Sequence, residues 1–325
     1  MKLIFLGTSA GKPTKERNVS ALGLEFDQDS KWYLFDCGEG TQRQIIHSRL
    51  SFAKLSTIFI THLHGDHYYG LPGLLSTKKL DATLRPLTIY GPSGIREFVE
   101  CTIDTSQKHL GYSLEIIEYM YGDEFVFDKF LLKVLPLVHS KESAAFYIKE
   151  NDINNKLDEE KLRKIGLEPS PLYGELKMGS SVTFEGKKLD PKQFMFEATA
   201  GRTVIIAGDN STPGILDNYL ENLDLLVHEC TFTQEVYDNL EKKFLHTTAK
   251  DLGIAAQKKH VKNLIANHIN PRYTNSSPLT IEMVYDEIKS NYEGNLFIAN
   301  DFDVYYLYRN GLSLMPNTGR YVTSK

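Results

Sequence analysis

At 325 residues with a formal net charge of −5, 41% hydrophobic and 24% charged side chains, the chain can bury a large core in one domain or two smaller ones. No apolar run approaches the ~18 residues that span a bilayer, and the opening MKLIFLG is too short an apolar stretch for a signal peptide, so no membrane role and a cytoplasmic location are expected. Three cysteines, Cys37, Cys101 and Cys230, are odd in number, far apart and without Cys-x-x-Cys spacing. They argue against a disulfide framework and a thiolate zinc site and fit a reducing compartment. The acidic balance leans against nucleic acid bound by bulk charge, although a local basic patch can coexist with an acidic remainder.

Taken in chain order, short apolar runs bounded by Gly, Pro and Asp recur at 3–6, 32–35, 58–60, 87–90, 131–137, 203–207, 225–227 and 264–266. Several are rich in Ile, Val, Phe and Tyr and predict buried strands. Helix-like segments lie between them at 41–49, 68–79, 93–108, 247–259 and 277–289. The second opens YYGLPGLLSTKKL, whose Gly and Pro weaken its start. Strands and helices alternate in both halves, which predicts an α/β layered domain. Residues 150–192 break the rhythm: charge is dense, apolar content falls, and Gly and Pro cluster, so a core-free protruding insertion is expected. Between Lys141 and Lys192 there are ten Lys/Arg and ten Asp/Glu, so this segment is not basic in bulk. Phosphate contact there would have to come from Lys161, Arg163 and Lys164 or from Lys187 and Lys188.

Residues 61–70 read THLHGDHYYG. At the end of a buried strand, His62 and His64 stand two apart and face a common side. Gly65 permits a sharp turn before Asp66 and His67. These four ligand-type side chains gather at the carboxyl end of a strand, where open α/β sheets place their sites. Imidazoles with a carboxylate suit Zn²⁺ and, less strictly, Mn²⁺ or Fe. One such cluster does not fill two metal shells. His139, Asp209 and His268 follow the runs LLKVLPLV, TVIIAG and LIAN in the same strand-end placement.

In this order, H-x-H-x-D-H followed by strand-end His, Asp and His resembles the metallo-β-lactamase fold over nearly the whole chain. The resemblance implies a four-layer αββα sandwich with a two-metal site between its sheets. His62, His64 and His139 would hold one zinc, Asp66, His67 and His268 the other, and Asp209 would bridge both. Fold alone does not give the substrate. FLGTSAGKPTKERN (5–18) resembles the N-terminus of RNase Z, and PTKERN fits that family's P-x-K-x-R-N loop. This implies that Lys15, Arg17 and Asn18 sense the 3′ end of an RNA; alone, the segment reads as a solvated surface loop. FDCGEGTQRQI (35–45) is similar to the family's second block and is expected to act mainly as structural support, with Asp36 at a strand–turn–helix junction. HECTF (228–232) and HTTAKD (246–251) resemble the family's paired glutamate and histidine. Glu229 would then charge His246 as a general acid; otherwise His246 is an exposed helix-start residue beside a capping Thr247. GLEPSPLYGELKMG (166–179) is similar to the RNase Z flexible arm, with Ser170-Pro171 where the family has Gly-Pro. Arg272 in HINPRY contacts a phosphate or forms a structural ion pair. His47, His109 and His260 read as non-catalytic, and no role is derived for His228.

The resemblance therefore implies a single domain over 1–325 with 150–192 inserted as a tRNA-binding arm, two Zn²⁺ per subunit, and a homodimer in which one subunit's arm holds the tRNA that the other cuts. The implied activity is an endoribonuclease that removes the 3′ trailer from precursor tRNA. Hydroxide generated at two metals attacks phosphorus, Asp66 orients the nucleophile, and His246 protonates the departing 3′ oxygen. The tRNA keeps a 3′-hydroxyl and the trailer a 5′-phosphate. Two alternatives remain at this level: another hydrolase of the same fold, such as a small phosphodiesterase or a lactonase, and an RNA-binding relative with a dead site.

Overall fold

The computed structural model describes all residues except 81–84, 107–109, 154–155, 275–276 and 316–325. His109 and the last two positions of the helix expected over 93–108 lie outside the described residues.

The first nine strands are β1 (Lys2–Gly7), β2 (Ala21–Glu25), β3 (Trp32–Phe35), β4 (Leu55–Phe59), β5 (Leu87–Gly91), β6 (Leu114–Glu118), β7 (Glu124–Val126), β8 (Phe130–Leu137) and β9 (Ser143–Glu150). The remaining eight are β10 (Val182–Phe184), β11 (Lys187–Leu189), β12 (Thr203–Ala207), β13 (Leu225–Glu229), β14 (Asn263–Asn267), β15 (Asn295–Ile298), β16 (Val304–Tyr308) and β17 (Gly311–Leu314). One sheet runs β17-β16-β1-β2-β3-β4-β5-β6 and a second runs β15-β14-β13-β12-β9-β8-β7. Strands β3 to β6 are parallel neighbours, as are β12 to β15. Their carboxyl ends therefore fall along one edge of each sheet.

Strands β1, β3, β13 and β14 are buried almost throughout, which is why they read as apolar runs. Side chains still divide by alternation. Trp32, Leu34, Leu55 and Ile58 face the helices over the first sheet, among Ile45, Leu71, Leu74, Ile95 and Val99. Phe35 and Phe59 point the other way and meet Phe146 of β9 at centroid distances of 5.7 and 5.5 Å. In the second sheet Ile205, Leu226, Leu264 and Ala266 pack among Leu252, Ala256, Val284 and Ile288 of the helices Ala249–Lys258 and Ile281–Lys289. The result is helix, sheet, sheet, helix: the expected αββα layering.

Several boundaries differ from expectation for local reasons. The helix expected over 68–79 is a four-residue turn, Gly65–Tyr68, and a separate helix, Leu71–Leu80. The helix expected from 277 starts at Ile281 behind Thr280. Thr248, not Thr247, caps the helix Ala249–Lys258, its side chain accepting from the Asp251 N–H. The Thr247 hydroxyl donates instead to the Asn210 carbonyl. Strands β2, β6, β7, β9, β15, β16 and β17 lay outside the apolar runs read in sequence, since mixed or short segments owe their strand state to a paired neighbour.

The chain folds as two compact units, the second comprising 128–131 and 149–202. The expectation that this segment has no core is wrong. Leu157, Leu162, Leu167, Tyr173, Leu176, Val182, Leu189 and Phe194 form a buried apolar cluster of their own. Dense charge between these positions hides the cluster in sequence, because the spacing follows two short helices and the β10–β11 hairpin rather than one period. Ser170-Pro171 starts the second of these helices, with Ser170 extended at the cap and Pro171 in the first turn, where its missing N–H costs nothing. Within this unit, Arg202 and Glu150 form a nearly buried ion pair.

Candidate metal centre and active site

Six strand ends supply the site: those of β3, β4, β8, β12, β13 and β14. After β4 the chain runs extended through His62 and His64, then turns helically so that Asp66 and His67 come back to the same point. Gly65 stands at this turn without a positive φ; a Cβ there would fall 2.2 Å from the Tyr69 ring, so its role is to leave room. Asp36 and His268 each leave their strand with φ of 56°. Left-handed backbone at a non-glycine residue costs about 1–3 kcal/mol and collects where a side chain must be aimed.

All the expected ligands meet. His62 Nε2 and His139 Nε2 each lie 3.1 Å from His64 Nδ1, and Asp209 Oδ2 is 3.6 Å from the first and 3.7 Å from the second. In the neighbouring group His67 Nε2 and His268 Nε2 are 3.3 Å apart. Asp66 Oδ2 lies 3.5 and 3.3 Å from them, and Asp209 Oδ1 lies 3.4 and 3.3 Å away. One Asp209 oxygen thus belongs to each group. Four ligands at ~2.0–2.2 Å around a tetrahedral ion have edges of roughly 3.3–3.6 Å, close to what these atoms show. Asp209 Oδ1 is buried and accepts no hydrogen bond, a costly state for a carboxylate oxygen unless a cation faces it. The donor set fits a metal, and these residues can hold one.

Electrostatics agree. Burial pushes the pKa values of His62, His64 and His139 down, so they stay neutral lone-pair donors. For His67 burial opposes a proton, but Asp36, Asp209 and Asp66 together hold its pKa well above the usual value. Burial works against the charge on Asp209, yet the rings facing it, His268 and His67 foremost, hold its pKa well below the ordinary carboxylate range. The cluster is built to receive positive charge.

Hydrogen bonds outside the cluster aim the rings. Asp36 Oδ2 accepts from His67 Nδ1 at 2.6 Å, and the Leu245 carbonyl accepts from His139 Nδ1 at 2.7 Å. The Gly11 N–H donates to Asp66 Oδ2 at 2.8 Å. Asp36 carries more than the general structural support expected of its block, since it fixes a ring of the cluster directly. Sequence gave no sign of Leu245 or Gly11, because each acts through its backbone.

Glu229 and His246 form the expected pair, His246 Nδ1 lying 2.9 Å from Glu229 Oε1. Burial lowers the His246 pKa, but the Glu229 carboxylate outweighs it and carries it up to about 9. The alternative of an exposed helix-start residue does not hold, as His246 is half-buried. His228, without a role in sequence, is fully buried. Its Nδ1 donates to the Glu229 carbonyl and its Nε2 accepts from Asn210 Nδ2, while the Asn210 N–H donates to Glu229 Oε1.

A cavity of about 650 Å³ opens over the cluster. Its lining combines His64, Asp66 and His246 with Phe232, Phe244, Lys12 and Arg272. Arg272 is exposed, its Nε bonded to Asn270 Oδ1 and its guanidinium 5.5 Å from the Phe232 ring centre. Lys15 is exposed. Arg17 is differently placed: its guanidinium donates to Thr8 Oγ1, the Ala299 carbonyl and Asn300 Oδ1 at 2.5–2.7 Å. Asn18 donates through Nδ2 to the Glu39 carbonyl and through its N–H to Asp301 Oδ2. His47 and His260 are exposed and outside this cavity.

Comparisons with known proteins agree with this geometry. Residues 1–156 match the family model of the anti-Pycsar protein Apyc1. Ribonuclease Z of Pseudomonas putida strain F1 is 38% identical over 314 residues, covering 96% of this chain and 98% of that protein. Among solved structures, human tRNase Z, short form, superposes with a TM-score of 0.65 at 26% identity over 95% of this chain and all of that one. The metallo-β-lactamase fold protein YhfI of Bacillus subtilis does so at 0.64 with 18% identity over 93% of this chain and 98% of that one, a likeness of fold. At this identity over nearly the full length of both chains, the chain belongs to the ribonuclease Z family, on the metallo-β-lactamase fold.

Proposed function

We propose that this chain cuts precursor tRNA at the 3′ side of the mature sequence, as a metal-dependent endoribonuclease leaving a 3′-hydroxyl on the tRNA and a 5′-phosphate on the trailer. The observation that carries the reading is His246, held by buried Glu229, on the wall of the same cavity as the His/Asp cluster. Binding alone needs neither.

His62, His64 and His139 would hold one Zn²⁺ and Asp66, His67 and His268 a second, with Asp209 shared between the two groups. Bound there, the ions supply charge that activates water and neutralises the negative charge growing at phosphorus. The chain's own residues do the rest. Asp66, on the cavity wall, orients the attacking water and accepts its proton. Glu229 holds His246 through Nδ1, leaving Nε2 to deliver a proton to the departing 3′ oxygen. Lys12, Lys15 and Arg272 offer charge to flanking phosphates, and Phe244 offers a face to a base. Arg17 and Asn18 contribute by setting the shape of the loop that carries Lys15.

The chain is one metallo-β-lactamase domain with 150–192 as an inserted arm that grips tRNA away from the cut, and it works as a homodimer. Among the described residues no helix is long and apolar enough to cross a membrane. Free cysteines at 37, 101 and 230 and an RNA substrate support a cytoplasmic setting.

Incubation with precursor tRNA bearing a 3′ trailer tests the reading. Cleavage next to the discriminator base is expected, abolished by a chelator and restored by zinc. Hydrolysis of a small phosphodiester with no cut in precursor tRNA would overturn it in favour of a small phosphodiesterase.

A further inference from the structure

We propose that Thr231 is a positioning residue whose single hydroxyl couples the Glu229–His246 pair to His268, fixing His268 in the tautomer that aims a bare Nε2 into the metal cluster. The inference rests on the reading of His268 as a ligand and His246 as the proton donor.

Thr231 Oγ1 lies 2.5 Å from Glu229 Oε2, 3.2 Å from His268 Nδ1 and 3.2 Å from the His268 carbonyl. A hydroxyl has one proton and two acceptor positions. The short contact with a buried carboxylate takes that proton, since charge-assisted bonds are the strong ones. What Thr231 offers His268 is then a lone pair, so Nδ1 must carry the N–H. Nε2 is left unprotonated, 3.3 Å from both Asp66 Oδ2 and Asp209 Oδ1. Thr231 is buried, so no bulk water competes for these bonds.

The same construction occurs at Asp36. Thr61 Oγ1 donates to Asp36 Oδ1 at 2.9 Å and faces His62 Nδ1 at 3.0 Å, while Asp36 takes His67 Nδ1 directly. Each carboxylate serves two imidazoles, one in direct contact and one through a threonine. The two relays differ in what they join. Asp36 and Thr61 orient two metal ligands, His67 and His62. Glu229 and Thr231 orient one ligand and the proton donor, so of the two threonines it is Thr231 that stands between metal binding and proton delivery.

Thr231→Val removes the hydroxyl and keeps the branched shape; Thr231→Ala removes it without the added methyl, should valine disturb the fold. Two readings are taken on the full chain. Zinc affinity is measured by competition with a chromophoric chelator, without substrate. At saturating zinc, turnover of precursor tRNA is compared with that of bis(p-nitrophenyl) phosphate, whose aryl oxide leaves without a proton. Loss of the hydroxyl is expected to weaken zinc binding roughly 10–100-fold. It is also expected to slow tRNA cleavage on the order of tenfold more than ester hydrolysis. Thr231→Ser should restore most of both. Thr61→Val should weaken zinc binding but slow the two substrates alike. Unchanged zinc affinity in both Thr231 variants, or equal slowing of the two substrates, would overturn the coupling. A wild-type chain that binds zinc but leaves precursor tRNA intact would sink the functional reading instead, and the zinc competition would still decide the tautomer.

Discussion

The pocket at the strand ends and the segment 149–202 are both rich in polar residues, yet they use polarity in opposite ways. Around the pocket, Asp36, Asp209, Glu229, His62, His67 and His268 are buried, and each ring or carboxylate meets partners of fixed position. In 149–202, apart from the Glu150–Arg202 pair, charges such as those of Lys164 with Glu160 and Arg163 with Glu159 stand outside a small apolar cluster and pair along helix turns, on side chains 49–80% exposed. Exposed pairs contribute little and can be exchanged for one another. Removing one member of a buried network leaves the other uncompensated in a low dielectric, which is severe. Chemistry should therefore be brittle at the pocket and tolerant in the segment, for which binding is the proposed role.

The sharpest break of that contrast is Asp209→Ala. One oxygen of Asp209 belongs to each ligand group, so both should empty together. Metal content after desalting should fall towards zero and trailer release to background; retention of a full metal complement would contradict the bridging role.

Next in size is His246→Ala. Losing the proton to the leaving 3′ oxygen should slow turnover by ~10²–10⁴-fold while bound metal is unchanged, and near-normal cleavage would end the assignment. A pH profile adds a finer test of the same pair. Glu229 raises the His246 pKa to about 9, so the proton is present below that value and lost as pH rises through it. In Glu229→Gln the alkaline fall of kcat should move to lower pH, towards an ordinary histidine. A limb that stays in place would mean that another group sets it.

The segment should behave differently. Ile153 and Thr199 are bridged across its base, so joining Asp152 to Ala200 through a turn of about two residues is geometrically open and keeps Glu150 paired with Arg202. This shortened chain should hydrolyse bis(p-nitrophenyl) phosphate as before and bind precursor tRNA far more weakly, seen as a rise in KM. Unaltered tRNA binding would remove the segment from recognition.

The same contrast explains what the sequence disclosed. The residues of the His/Asp cluster were legible because they lie at or just beyond apolar strand runs, and strand ends are where this architecture aims side chains. Glu229 and His246 are 17 positions apart and carry no shared period, so only their resemblance to a known pair marked them. Thr61 and Thr231 were invisible, since a threonine in a strand-rich chain is ordinary until its hydroxyl is seen between a carboxylate and a ring. Arg17 was misleading for the opposite reason. A cation in a polar loop looks free, but tertiary folding brings Thr8, Ala299 and Asn300 to it, and no local pattern records a partner more than 280 residues away. The core of 149–202 was missed because its apolar residues are diluted by charge.

The smallest effect concerns a single exposed pair. Lys164 Nζ lies 3.0 Å from Glu160 Oε1, with both side chains 70% or more exposed. If the segment grips RNA, Lys164 is worth more to a phosphate than to Glu160, because neutralising a phosphate releases a counterion whereas an exposed ion pair gains little. Lys164→Ala should leave Tm and kcat unchanged and reduce the slope of log Kd against log salt by about one. Glu160→Ala should leave the slope intact and tighten binding slightly by freeing the lysine. Identical salt slopes for wild type and Lys164→Ala, measured from low to physiological salt, would return Lys164 to the ordinary solvated surface and leave phosphate contact to Lys187, Lys188 and their neighbours.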